Sequence, residues 1–122
     1  MRSLLLVAHG SRRAASNEEI SLLAEVLSKR AKTRFDHVGY AFLETAEPSI
    51  TNAVEAAVRA GAREILVLPY FLSAGRHVVE DIPAEVERER RKHPEVCIRL
   101  TPYLGQAKGL TGILLDLSES AP

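Results

Sequence analysis

Two imidazoles and a carboxylate, His9, Glu44 and His77, each stand just past a short apolar run. The runs are Leu4–Ala8, Val38–Leu43 and Ile65–Leu68, each with the length and apolar make-up of a buried β-strand. Imidazole and carboxylate together suit a borderline divalent transition metal. Imidazole, with an unperturbed pKa of about 6.5, is also a proton acceptor near neutral pH. Such chemistry requires the three side chains to meet. In an open parallel sheet they would, because the carboxyl ends of all strands share one edge and ligands bind in the crevice outside it.

Taken singly, each residue has a plainer reading. His9 fits a surface turn beside the solvated pair Arg12 and Arg13, His77 an exposed helix start, and Glu44 a solvated loop. The agreement of all three is the stronger fact. His37, at the entry of its strand, and His93, at a helix end before Pro94, are left out of the site. Glu47 and Glu80 lie near the proposed edge, as supporting partners or a path for an ion.

The elements that must position these residues alternate along the chain. Ser16 and Glu19 make a capping-box pair at a helix start, followed by the apolar stripe Ile20, Leu23, Ala24 and Leu27. Pro48 suits the first turn of a second helix, whose apolar positions are Ile50, Ala53, Val54, Ala57 and Val58 and which Gly61 ends. A third helix covers about Val79 to Lys92, with Pro83 in its first turn and the mixed charges Glu85 to Lys92 as a solvated face. Val96–Leu100 reads as a fourth strand and Leu110–Leu117 as a last helix. Uninterrupted apolar strands imply helices on both faces of the sheet. The expected fold is α/β: one domain over residues 1–122, three-layer α/β/α, with a four-stranded parallel sheet.

A chain of 122 residues with 46% hydrophobic content suits one soluble domain. Its 16 basic and 16 acidic residues balance, which gives no support to nucleic acid or an anionic membrane as partner. The lone Cys97, between Val96 and Ile98, reads as a buried small hydrophobe. No apolar run approaches the roughly 20 residues that span a bilayer, and the amino terminus does not resemble a signal peptide, so a cytoplasmic location is expected. Walker, dinucleotide-binding, His-Glu-x-x-His and Cys-x-x-Cys motifs are all missing. Ser11 lacks the Gly-x-Ser-x-Gly elbow of acyl hydrolases. Ala8 stands where a histidine phosphatase would want an arginine.

Three separated segments resemble a known family: Leu-Leu-Val-Ala-His9-Gly-Ser-Arg, Ala-Phe-Leu-Glu44-Thr-Ala-Glu-Pro-Ser-Ile and Leu-Pro-Tyr-Phe-Leu-Ser-Ala-Gly-Arg-His77-Val. They are similar to the short sirohydrochlorin cobaltochelatases and their nickel- and iron-inserting relatives, in order and over nearly the whole chain. The resemblance implies a class II chelatase-like fold. It also implies ATP-independent insertion of a divalent ion into a modified tetrapyrrole, in cobalamin or related cofactor biosynthesis. His9 and His77 match the family's metal-handling histidines, and Glu44 its acidic site residue. Longer relatives carry two such halves in one chain. The short members pair as homodimers, which implies a homodimer here with the tetrapyrrole cleft at or near the subunit interface.

On that reading His9 and His77 present the ion and Glu44 assists as ligand or proton acceptor. Co²⁺, or Ni²⁺ or Fe²⁺, is the substrate metal, and no prosthetic group is expected. Carboxylates of the macrocycle would meet Gly10, Ser11, Arg12, Arg13, the Ser73-Ala74-Gly75 loop and Arg76. Phe42, Leu43 and Tyr70-Phe71-Leu72 would offer apolar surface to its flat ring. Two other classes use the same donors: a metal carrier or sensor without a macrocycle cavity, and a small metal-dependent hydrolase.

Overall fold

The computed structural model describes residues 1–122. Strands β1 (Arg2–Ala8), β2 (His37–Phe42), β3 (Glu64–Pro69) and β4 (Cys97–Leu100) form one parallel sheet in the order β2-β1-β3-β4. Helices α1 (Ala14–Arg30), α2 (Ile50–Arg59) and α3 (Ile82–Lys92) connect them, and α4 (Leu110–Ser118) follows β4. A π-helical turn, His77–Asp81, leads into α3, and a 3-10 turn, Leu104–Gln106, precedes α4. The expected α/β class and parallel sheet are what the chain forms.

Strand alternation divides the interior into two unequal parts. Leu5, Val7, Ala41, Ile65, Val67 and Ile98 face α2 and α3, and belong to a cluster of 13 buried residues with Ile50, Val54, Ile82 and Val86. Leu4, Leu6 and Val38 face α1 and form a cluster of only 4 with Ala24. Crossovers between parallel strands keep one hand, so the direction of each move selects the face its helix covers. The β1-to-β2 connection runs one way and puts α1 on one face; β2-to-β3 and β3-to-β4 run the other way and put α2 and α3 on the opposite face. The expectation of two covered faces therefore holds only in part. On the α1 side Leu66 and Leu68 of β3 stay half-buried.

The same uncovered area corrects the reading of Cys97. Its side chain is exposed, because it points to the face of β4 that no helix reaches. Two helix starts also differ from expectation. α1 begins at Ala14, and Ser16 already donates its N–H to Arg13, so Ser16 and Glu19 form no capping box. Instead Asn17 clasps the incoming turn, accepting from the Ser11 N–H at 2.9 Å and donating to the Ser11 carbonyl at 2.7 Å. α2 begins at Ile50 after Ser49, whose hydroxyl accepts from the Asn52 N–H at 3.1 Å. Pro48 lies outside that helix, and its carbonyl accepts the N–H of Phe42 at the end of β2. Gly61, at φ 103°, ends α2 as expected, with the Ala62 N–H reaching back to the Ala57 carbonyl.

The run Glu85 to Lys92 is not wholly a solvated face. Glu89 is 0% exposed and accepts from the Thr51 hydroxyl of α2 at 3.0 Å, with Lys92 at 3.2 Å. It ties α3 to α2 where Ile82 and Val86 continue the buried stripe.

At the sheet's entry Arg2 of β1 and Arg99 of β4 both hydrogen-bond the carboxylate of Glu64 on β3. Desolvation works to raise that carboxyl group, but hydrogen bonds and charge from the two guanidinium groups outweigh it and hold it below the usual carboxylate range. A depressed folded-state pKa stabilises above the unfolded value, and the contribution disappears as pH falls through the folded one. Glu64→Gln should therefore lower the urea midpoint at pH 7, and the gap to the unmodified protein should close on acidification below about pH 4. Urea melts at both pH values check this; an equal gap at both would contradict it.

Candidate metal centre at the carboxyl edge of the sheet

Pairing between the strands continues beyond their formal ends. The Leu43 N–H donates to the Ala8 carbonyl at 3.0 Å and the Glu44 N–H to the His9 carbonyl at 3.1 Å. On the other side of β1 the Tyr70 N–H donates to the Val7 carbonyl at 2.8 Å. β1 thus holds the starts of both neighbouring loops. Gly10, at φ 99°, packs against the Glu44 backbone so closely that a Cβ would fall 1.9 Å from the Glu44 carbonyl oxygen. The following turn closes with the Ala46 N–H on that same oxygen at 2.8 Å, which puts Thr45 at φ 73°. For a β-branched residue this conformation is strained.

The three residues singled out from the sequence meet here. Donor atoms of His9, Glu44 and His77 all lie within 4.8 Å of one another. His9 Nε2 is 3.0 Å from Glu44 Oε1, and the rings of His9 and His77 are 4.7 Å apart. Hydrogen bonding decides which nitrogen of His9 faces the Glu44 carboxylate. His9 Nδ1 is 3.0 Å from the Gly10 carbonyl oxygen, which can only accept, so Nδ1 carries a hydrogen, and in the neutral ring the lone pair lies on Nε2. The 3.0 Å between Nε2 and the Glu44 carboxylate fits a hydrogen bond from a protonated ring, and equally a cation shared by the two atoms. Two bonds of about 2.1 Å meeting at the right angle of an octahedral ion would also put their donors about 3.0 Å apart. The side chains are 49%, 56% and 37% exposed for His9, Glu44 and His77, so an ion held there keeps positions open for exchange.

A cleft of about 540 Å³ adjoins this cluster on the side of Glu44 and His77, lined by them and by Ile50, Thr51, Asp81, Glu85 and Arg88, with His9 outside its lining. Asp81, Glu85 and Arg88 were not singled out from the sequence. His77 Nδ1 lies 2.7 Å from Asp81 Oδ2, and the only sequence signal was the four-residue spacing at a helix start. Arg88, ion-paired to Glu85, was hidden in what read as a solvated charge run.

The remaining candidates divide. Arg12 and Arg13 are exposed and form no ion pair, whereas Ser11 is engaged locally, its hydroxyl accepting from the Arg13 N–H. Ser73, Ala74 and Gly75 are exposed, and their backbone N–H groups make no hydrogen bond within the chain. Arg76 lies 3.7 Å from Glu80, which occupies Glu80 with an exposed ion pair. Phe42 is 2% exposed and lies beneath Gly10, so it supports the site and offers no surface to a ligand. Glu47 accepts from the Ser49 N–H and the Asn52 side chain, a structural task at the start of α2. His37 stands at the entry of β2 and His93 beside Glu89, both away from the cluster.

The model of the CbiX family matches residues 3–121. The chain belongs to the CbiX family. It is 42% identical over 83 residues to the sirohydrochlorin cobaltochelatase of Methanocaldococcus jannaschii, covering 68% of this chain and 57% of that protein. It is 35% identical over 121 residues to the sirohydrochlorin cobaltochelatase of Sulfolobus acidocaldarius, covering 99% and 93%. Among solved structures it superimposes on the sirohydrochlorin chelatase SirB of Bacillus subtilis subspecies spizizenii in complex with cobalt, with TM-score 0.82 and 28% identity. That match takes in 98% of this chain and 51% of SirB, so the CbiX chain spans about half of the cobalt-bound protein.

The backbone around Glu44 yields a pair of opposite expectations. Gly10→Ala should cost about 1–3 kcal/mol and displace Glu44, since its Cβ meets main chain that cannot yield cheaply. Thr45→Gly should instead stabilise by roughly 1 kcal/mol, by relieving the left-handed conformation. Thermal melts of both variants check the signs; a less stable Thr45→Gly would show that the turn is not strained.

Proposed function

We propose that this CbiX-family chain is an enzyme, a lyase that inserts a divalent metal ion into sirohydrochlorin without ATP, in cobalamin or related tetrapyrrole biosynthesis. The observation that carries this reading is the converging set of His9, Glu44 and His77, with Nε2 of His9 turned to the carboxylate. Co²⁺ is the favoured substrate ion, because curated relatives that it resembles are named cobaltochelatases. Ni²⁺ and Fe²⁺ would bind the same donors, with intrinsic affinity falling from nickel to cobalt to iron. Soluble, cytoplasmic chemistry goes with this reading, and no helix is long and apolar enough to cross a membrane.

Insertion exchanges two pyrrole N–H protons for one dication. The site must therefore present an ion without trapping it and receive protons as the ion leaves. Two neutral imidazoles and one carboxylate do the first, since thiolates, which would hold the ion more tightly, are missing from the cluster. As the ion passes to the macrocycle, the lone pairs of His9 and the oxygen of Glu44 become free to take up the released protons. The free N–H groups of Ser73 to Gly75 and the guanidinium groups of Arg12 and Arg76 would meet the substrate's carboxylates.

The cleft in this chain is one wall of such a site, and a second copy would supply the other. Support comes from SirB, of which this chain covers only 51%. It comes also from α4, where Ile113, Leu114, Leu115 and Leu117 are 53%, 58%, 61% and 64% exposed. Exposed aliphatic side chains gathered on one short helix suit an interaction site.

Anaerobic absorbance of sirohydrochlorin with Co²⁺, Ni²⁺ or Fe²⁺ should show conversion faster than in protein-free controls. His9→Ala and His77→Ala should each slow it by at least about 100-fold while leaving the fold intact by circular dichroism. Metal binding with no acceleration for any ion would turn the reading to a carrier or sensor. Light scattering at micromolar concentration should give a dimer mass, and Leu114→Glu with Leu117→Glu should lower both mass and activity. A fully active monomer would refute the shared cleft.

A further inference from the structure

We infer that Asp81 is the positioning residue for His77: its carboxylate selects the ring tautomer and orientation that aim Nε2 at the ion. The inference rests on the reading of His9, Glu44 and His77 as the metal centre. His77 Nδ1 lies 2.7 Å from Asp81 Oδ2, within hydrogen-bond distance and shorter than most neutral N–H···O contacts. An ionised carboxylate can only accept, so Nδ1 carries a hydrogen, and in the neutral ring that binds an ion the lone pair falls on Nε2. A carboxylate behind the ring also makes Nε2 a better electron donor, a recurring arrangement around metal-bound imidazoles.

The local fold is arranged to make this contact. His77 and Asp81 are the first and last residues of the π-helical turn, which closes with the Ile82 N–H on the His77 carbonyl. The wider turn takes up one residue before α3 settles into the register that buries Ile82, Val86 and Glu89. Both His77 and Asp81 consequently line the cleft while the next residue, Ile82, is 0% exposed. Asp81 makes no other side-chain hydrogen bond or ion pair, so removing its carboxylate breaks this one contact.

The two histidines are thereby supported in different ways. His9 is oriented by a backbone carbonyl of its own turn, and its Nε2 is already engaged with Glu44. His77 follows an exposed loop, and Asp81 is the only hydrogen-bond partner of its ring. Rotation of the ring about its side-chain bonds, or a switch of tautomer, would withdraw the donor from the centre. Asp81 opposes both.

The test combines titration of Co²⁺ alone with ¹⁵N NMR of the histidine rings, on the full chain as wild type, H77A, D81A and D81N. The expected result is a His77 tautomer with the proton on Nδ1 in wild type and a mixture in D81A. Co²⁺ affinity should fall about 10–100-fold in D81A. D81N, whose amide oxygen can still accept the hydrogen bond, should recover most of the loss, with similar thermal midpoints for all variants. D81A with wild-type tautomer and wild-type affinity would overturn the role of Asp81 while leaving the metal centre standing. Equal loss in D81A and D81N with the tautomer unchanged would also overturn it, by making Asp81 a direct ligand. Co²⁺ binding equally weak in wild type and H77A would overturn the metal centre itself, and this role with it.

Discussion

The hydrogen-bond ladder between β1 and its neighbours does not stop where the strands stop, and the candidate site depends on that continuation. The carbonyls of Val7, Ala8 and His9 successively hold Tyr70, Leu43 and Glu44. Because each bond is backbone to backbone, the distance between His9 and Glu44 is set by strand register and not by side-chain preference. Gly10 completes the arrangement by letting two backbone segments touch where any Cβ would collide. Directly after Glu44 the chain turns sharply away through Thr45, whose positive φ is the local cost of that turn.

A second constraint follows from strand order. With one hand for every crossover, a sheet that steps one way once and the other way twice covers its faces unequally. The α2 and α3 side holds the larger cluster, and the α1 side leaves Leu66, Leu68 and Cys97 only partly covered. α4 adds aliphatic residues to the surface without covering that area. The same topology that sends the ends of β1, β2 and β3 to one edge thus leaves apolar surface unspent, and the proposed pairing of two copies would use it.

The site combines rigid and adjustable parts. His9 and Glu44 are fixed by main chain, whereas His77 arrives on a loop whose tip, Leu72 to Arg76, is exposed. Phe71 is anchored beneath that loop, its carbonyl accepting from the Gly105 N–H at 3.0 Å, and Gly105 packs directly on the Leu72 carbonyl.

Strand content, the α/β class and the meeting of His9, Glu44 and His77 were legible in the sequence by itself. Apolar runs mark parallel strands, and parallel strands send whatever follows them to one edge. Helix starts were less legible, since Ser16 and Pro48 are good local signals that the turns before them override. Tertiary structure alone decided burial and partnership. It took Phe42 beneath the site and Cys97 to the surface, and drew Glu89 into the interior to bond Thr51. It also set Asp81 behind His77 and Arg88 beside the cleft. Residue type and spacing state what a side chain is able to do, but which neighbour it meets depends on how a helix rotates against the sheet. That rotation is fixed by packing among elements far apart in the chain.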